Sequence, residues 1–372
     1  MYEPLIRLSR KDRLGFSRPA SHLKGASMTL PLRHYRGIID STLREGQQYR
    51  FANFGLNEQL QILGLLTLIG VDRVEVGNPI GERVAQEIRD LVRIKNRPRL
   101  LCHVRNRTSD IQAATECGID GMNILCTIQP ERLSLMKVSL EEYLEQLQIH
   151  VGMARDCHME VRVSVENFFQ TRDFDAMRVL QFADRLGVDR IGIADTLGVA
   201  MPWDVERILR ELRKSVRCEI EVHFHNDLGL ANSNALSAIR AGANWVDTTL
   251  LGIGERIGIT ALSVFLISLY QIDPEVCTRY RLRNLTEAEN VVASMIQRDV
   301  PLNLPTNRDN GFSHKAGIHL HALTHLGPKV YEPYSPEVIG NTRHLVCGTP
   351  VSGKTTLVEV QRFNERYCKE SK

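Results

Sequence analysis

Two hydrophobic patterns alternate along the chain. Short β-branched runs at Gly37–Asp40, Arg73–Val76, Leu100–Val104, Gly121–Leu125, Glu160–Val165, Arg190–Ala194, Glu219–Phe224 and Trp245–Thr249 predict strands. Stretches with apolar residues at helical spacing lie between them, such as Glu58–Ile69, Leu140–Arg155, Asp175–Leu186, Pro202–Ser215 and Ala231–Ala241. Strand followed by helix, repeated eight times, predicts a parallel sheet. A short turn signature precedes every second strand: Gly70-Val71-Asp72, Gly118-Ile119-Asp120, Gly187-Val188-Asp189 and Gly242-Ala243-Asn244. Each supplies a glycine where a helix must end.

Eight such units fit either a closed barrel or an open doubly wound sheet. The polar residues decide between them. They cluster just past the strands' C-terminal ends, which in an open sheet would spread along a row of strands about 4.8 Å apart. A closed (β/α)8 TIM barrel, an α/β fold, brings them to one mouth. The pattern changes past Pro274: Glu275–Arg298 reads as helical, Val300–Asn310 as a loop rich in Pro and Asn, and the rest as a compact C-terminal accessory subdomain. The expected organisation is a basic arm over 1–34, the barrel over 35–274, a helical linker over 275–310 and a lid or dimer-exchange subdomain over 311–372.

Length and composition narrow the class. The 372 residues are 43% hydrophobic and 24% charged, which suits a large globular enzyme and argues against disorder. No apolar run is long enough to span a membrane. The net charge of +3 comes from mixed rather than clustered charges, so no nucleic-acid surface is expected. Eight cysteines without a C-x-x-C pair argue against structural zinc clusters and for a reduced, cytoplasmic protein. In the first stretch Arg7, Arg10, Lys11, Arg13, Arg18 and Lys24 outnumber Glu3 and Asp12. That stretch reads as an arm packing on a barrel, with a mitochondrial targeting segment as the alternative.

The chemistry begins at the end of the seventh strand. In His223-Phe224-His225-Asn226-Asp227, alternation puts Glu221, His223 and His225 on one face. Two inward imidazoles at a barrel mouth are a ready pair of metal ligands, against the plainer reading of two hydrogen-bonded histidines. After the first strand, Asp40-Ser41-Thr42-Leu43-Arg44-Glu45-Gly46-Gln47-Gln48 brings a carboxylate, a guanidinium and amides to the same mouth. Glu45 would complete a two-His, one-carboxylate set with open positions, and Arg44 would stabilise negative charge developing on a substrate oxygen. On the fifth strand Arg162, Ser164 and Glu166 share one face. A guanidinium inside a barrel calls for an anion: a ligand's distal carboxylate, or else Glu75 or Glu166. Gly348–Thr355 fits the phosphate-loop pattern G-x-x-x-x-G-K-T, but only 17 residues follow it, too few to build the sheet such a loop needs.

Four motifs in order, D-S-T-L-R-E-G-Q-Q, H-F-H-N-D-L-G, G-I-G-E-R and F-S-H-K-A-G-I-H, resemble the metal-dependent Claisen-condensing barrels, which include homocitrate, isopropylmalate and citramalate synthases. Arg44-Glu45-Gly46 and Ile259 are most similar to the homocitrate synthase branch. The resemblance implies a (β/α)8 barrel and an acyltransferase of lysine biosynthesis that joins acetyl-CoA to a 2-oxo dicarboxylic acid, 2-oxoglutarate first among them. Oxaloacetate, a phosphonopyruvate-like acid, or 2-oxoisovalerate or pyruvate are the other acceptors. A non-catalytic metabolite-binding barrel and a lyase are the other readings. It implies one divalent ion (Zn2+, Mn2+ or Mg2+) on Glu45, His223 and His225, and catalytic roles for Arg44, Glu166, His319 and Tyr331. Gln48, His103, Arg162, Ser164 and Thr196 match substrate-binding positions. It also implies a homodimer with exchanged C-terminal regions, in which His319 reaches the partner's mouth. His314 and His321 match less closely. Asn167, Gln170, Ile257, Gly77-Asn78 and Cys126-Thr127-Ile128 depart from the branch's pattern, mostly around the acceptor.

Overall fold

A computed structural model describes residues 32–171, 173–354 and 357–367. The basic arm and its targeting alternative lie almost wholly outside these residues, as does Thr355 of the phosphate-loop pattern. Parallel strands β1 (Gly37–Asp40), β2 (Arg73–Val76), β3 (Arg99–Arg105), β4 (Gly121–Cys126), β5 (Glu160–Val165), β6 (Arg190–Asp195), β7 (Glu219–Phe224) and β8 (Trp245–Thr248) form a closed barrel in sequence order. The seam closes in register, from Gly37 opposite Trp245 to Asp40 opposite Thr248. Around it run α1 (Leu56–Ile69), α2 (Glu82–Val92), α3 (Thr108–Glu116), α4 (Pro130–Met136), α5 (Leu140–Asp156), α6 (Asp173–Arg185), α7 (Pro202–Ser215), α8 (Ala231–Arg240) and α9 (Leu262–Ile272). No helix among the described residues is long and apolar enough to cross a membrane.

The alternating turn signature has a physical cause. Gly70, with φ 91°, ends α1 in the left-handed region, and Asp72 two residues on accepts the Ile38 amide of β1 at 2.9 Å. The pattern repeats three times: Asp120 accepts Leu100 N–H at 2.7 Å, Asp189 accepts Val161 N–H at 2.8 Å, and Asn244 accepts Ile220 N–H at 2.8 Å. Each even-numbered turn thus pins the start of the preceding odd strand. These side chains satisfy amides that the sheet ladder leaves open at the barrel floor.

Apolar residues on the outward strand faces pack against the helices in one large core. The barrel interior is different. Ile39, Leu101 and Trp245 form a small apolar plug. Around it lie buried charges: Arg190 pairs with Glu160 and with Glu221 (3.0 Å), and Arg73 reaches Glu160 at 2.7 Å beneath the Trp245 ring. Everything above this floor is left for chemistry.

The linker is helical in three separate pieces. The stretch read as helical, Glu275–Arg298, holds two 3₁₀ turns, Val276–Arg279 and Leu282–Asn284, before α10 (Leu285–Met295). Tertiary bonds override the local pattern: Arg281 N–H reaches Ile69 O at 2.7 Å, and the Tyr280 hydroxyl reaches Asp72 at 2.9 Å. The C-terminal segment pairs β9 (Ser313–His314) with β10 (His344–Leu345) and adds α11 (Gly317–Leu326) and α12 (Leu357–Tyr367). The backbone of the phosphate-loop pattern packs against the start of α11, where Gly317 N–H bonds Val351 O at 2.8 Å. A two-residue strand, not a buried parallel sheet, precedes it.

Candidate active site

The loop after β1 folds on itself because Asp40 accepts the Thr42 amide, and the Arg44, Glu45 and Gly46 amides converge on Ser41 O. This curl aims Arg44 and Glu45 into the mouth. There Glu45, His223 and His225, all buried, bring one ligand atom each within 4.8 Å of one another. The two imidazole Nε2 atoms face each other at 3.3 Å. At that distance one shared proton can satisfy both nitrogens, or a cation between them can satisfy both lone pairs. The donor set, two imidazoles and one carboxylate, fits a divalent ion with open positions.

Electrostatics favour the charged form of Glu45 and the neutral form of His225, the forms that can hold a cation. Burial disfavours charge on Glu45, but Arg44 and then His223 outweigh it and hold the carboxyl down at about 2. Burial, followed by the nearby His223, lowers His225 to about 4. Asp247 on β8 accepts from His223 Nδ1 at 2.8 Å, which turns Nε2 towards the mouth. The Ser41 hydroxyl donates to the other Asp247 oxygen. The second Glu45 contact is the Glu255 amide at 2.9 Å.

A cavity of about 200 Å³ opens above Glu45, His223 and His225, and Gln48, His103, Arg162, Ser164, Glu166, Thr196 and Arg256 help to line it. Arg44 bonds Glu75 at 2.7 Å and pairs with Glu45. Arg162 pairs with Glu221 and lies 3.3 Å from Glu75. The buried guanidinium is therefore neutralised by Glu221 and Glu75, not Glu166, and its burial alone does not require a ligand anion. Its Nε, however, is buried without a hydrogen-bond partner and lies close to Gly192, where a side chain would crowd it. Ser164 donates to Asn123 at 2.8 Å, and the other end of the Asn123 amide meets His103 Nδ1 at 2.8 Å. Thr196 accepts the Asn167 amide at 2.8 Å. Glu166 accepts from the Thr127 hydroxyl at 2.6 Å.

Two expected residues stand apart. The His319 ring stacks on Tyr331 with centroids 3.9 Å apart in the C-terminal segment, and neither lines the cavity. Within one chain Glu166 and His319 are not brought together at the mouth. His314 instead contacts Glu332 at 3.3 Å, and His321 lies against His325.

The sequence reading passed over Asp247 and Asn123, and noted Glu75 and Glu221 only as an ion-pair partner and an inward position. The signal was present. In Trp245-Val246-Asp247-Thr248, the alternation that selected His223 and His225 also turns Trp245 and Asp247 inwards.

Comparisons with known proteins point to one family. Residues 36–292 match the HMGL-like family, and residues 308–366 match the homocitrate synthase post-HMGL domain-like family. The chain is 37% identical over 319 residues to a mitochondrial homocitrate synthase of Schizosaccharomyces pombe, covering 85% of this chain and 76% of that protein. It is 33% identical to the cytosolic homocitrate synthase isozyme of Saccharomyces cerevisiae, covering 85% and 74%. In structure it resembles the hydroxymethylglutaryl-CoA lyase of Pseudomonas aeruginosa, with a TM-score of 0.64 at 18% identity over 73% of this chain and 96% of that one. At that identity the likeness speaks for the barrel alone.

Proposed function

This chain belongs to the HMGL-like family, in its homocitrate synthase branch, and we propose that it condenses acetyl-CoA with 2-oxoglutarate to give homocitrate and CoA. The observation that carries this reading is the meeting of Glu45, His223 and His225 in a cavity that also holds a buried arginine and a hydroxyl on β5. Glu45, His223 and His225 would hold one divalent ion, zinc, manganese or magnesium. Such an ion supplies Lewis-acid polarisation of the acceptor's ketone.

The chain's own groups do the rest. Arg162, Ser164 and Thr196 receive the far carboxylate of the acceptor, with His103 and Gln48 on its other polar groups. Arg44, pinned by Glu75, meets the negative charge that develops on the ketone oxygen. His319, oriented by Glu166, takes a proton from the acetyl methyl group. The resulting enolate carbon attacks the ketone carbon. Water then cleaves the thioester and releases CoA as a thiol, while Tyr331 covers the mouth.

Because His319 and Tyr331 lie away from their own chain's cavity, the reading requires a homodimer in which the partner supplies them. The seven described cysteines are free thiols, which suits a cytoplasmic setting.

The direct test is thiol release by purified protein with acetyl-CoA and a panel of 2-oxo acids, with and without a chelator. 2-Oxoglutarate should be the preferred acceptor, and chelation should stop turnover until a divalent ion is restored. Silence with every acceptor would reject the reading. A complementation experiment tests the shared site: co-expressed His319→Ala and His223→Ala chains, each inactive alone, should regain activity as hybrids. No regain would place the base within a single chain.

A further inference from the structure

The metal set is held from one side by the loop between β8 and α9, and that loop is locked from behind by a group outside the barrel. Glu289, on α10, is fully buried. One of its oxygens accepts the Leu251 amide at 3.1 Å, and the other accepts from the hydroxyl of Thr306. Leu251 is a non-glycine residue at φ 61°, a left-handed conformation that needs an external tie to persist.

The loop beyond Leu251 is tightly wound. At Gly258 (φ 87°) an added Cβ would lie 1.8 Å from Gly252 O. Its far end grips the candidate ligands. Glu255 N–H donates to Glu45 at 2.9 Å, Ile259 bridges to His225, and Asn226 N–H bonds Gly258 O at 2.9 Å. At Gly254 an added Cβ would meet the Glu45 carboxylate at 2.9 Å, so this backbone is moulded to that side chain.

We infer that Glu289 is a positioning residue for the metal centre: by holding the Leu251 amide and Thr306 together, it transmits the packing of α10 and the segment around Thr306 to the loop that orients Glu45 and His225. The inference rests on the assignment of Glu45, His223 and His225 as metal ligands. A buried carboxylate with no basic partner is a costly way to fill space, whereas it can accept from several donors at once. Glutamine keeps the acceptor for the Leu251 amide, and leucine keeps only the volume.

The test titrates Mn2+ into metal-free protein of wild type, Glu289→Gln, Glu289→Leu and Thr306→Val, with thermal unfolding of the metal-free forms alongside. Wild type should bind about one equivalent; failure of that control would overturn the ligand assignment and not the coupling. Glu289→Leu should lose affinity by about 10- to 100-fold, the range for groups that orient ligands. Glu289→Gln should stay within about threefold of wild type, and Thr306→Val should fall between. If Glu289→Leu does not fold, Thr306→Val against Glu289→Gln decides the matter. Loss of thermal stability with unchanged Mn2+ affinity in the folded variants would overturn the proposal.

Discussion

His225→Ala should reduce turnover by about 10³-fold or more while the barrel stays folded, because a Lewis-acid contribution of several kcal/mol vanishes with the ion. Two measurements check it: bound metal per chain, expected to fall from about one to a small fraction, and thiol release at saturating substrates. Glu45→Gln should give the same pair of losses by a different route. It removes the charge that Arg44 and the Glu255 amide now stabilise, and it leaves Arg44 with one fewer counter-ion. A variant with metal content intact and turnover lost would move the role of these residues from binding the ion to the reaction itself. Full turnover in either variant would remove the metal centre from the mechanism.

The second large effect is expected at Arg162. Replacement by alanine should raise the KM for 2-oxoglutarate by about 100-fold, since a charge-assisted contact in a desolvated site is worth roughly 2–5 kcal/mol. The KM for acetyl-CoA should barely change. The structure adds a complication that the sequence did not show: Glu221 and Glu75 both lose a counter-charge, so Arg162→Ala should also be destabilised. Arg162→Lys separates the two effects. It keeps a positive charge beside Glu221 but cannot present a planar fork, so it should recover stability while still binding the acceptor poorly. Equal losses for acceptor and acetyl-CoA, measured by steady-state kinetics on both, would count against the pocket assignment.

The arrangement around Arg162 bears on selectivity. An interior guanidinium already paired with two carboxylates is oriented before any ligand arrives. Its unpartnered Nε is the donor left over for the anion expected there, whereas the Ser164 hydroxyl already donates to Asn123. Asn123 ties Ser164 to His103, so two expected acceptor contacts move together. This coupling runs across β3, β4 and β5, and the separate motifs give no sign of it.

Much of the architecture was legible because its causes are local. Strand alternation marked the inward faces of β5 and β7, and glycine at the helix ends marked every second turn. Those signals depend on neighbours a few residues apart, which any window along the chain contains. The meaning of the turn signature was not legible: Asp72, Asp120, Asp189 and Asn244 act on amides of strands 20 to 34 residues earlier. The break of the linker into 3₁₀ turns before α10 was not legible for the same reason. Its helical spacing was real, but Ile69 and Asp72, two hundred residues away, offered its backbone and side chains better partners.

Order and periodicity by themselves determined the repeating strand–helix unit, the inward-facing polar residues and the candidate ligands, since each follows from covalent spacing and side-chain direction. Only the closed barrel decided which charges neutralise each other, that Asp247 orients His223, that Glu289 reaches the loop over Glu45, and that His319 stands away from its own cavity. Pairing energies depend on distance through space and on the exclusion of water, and neither quantity exists until the chain has closed on itself.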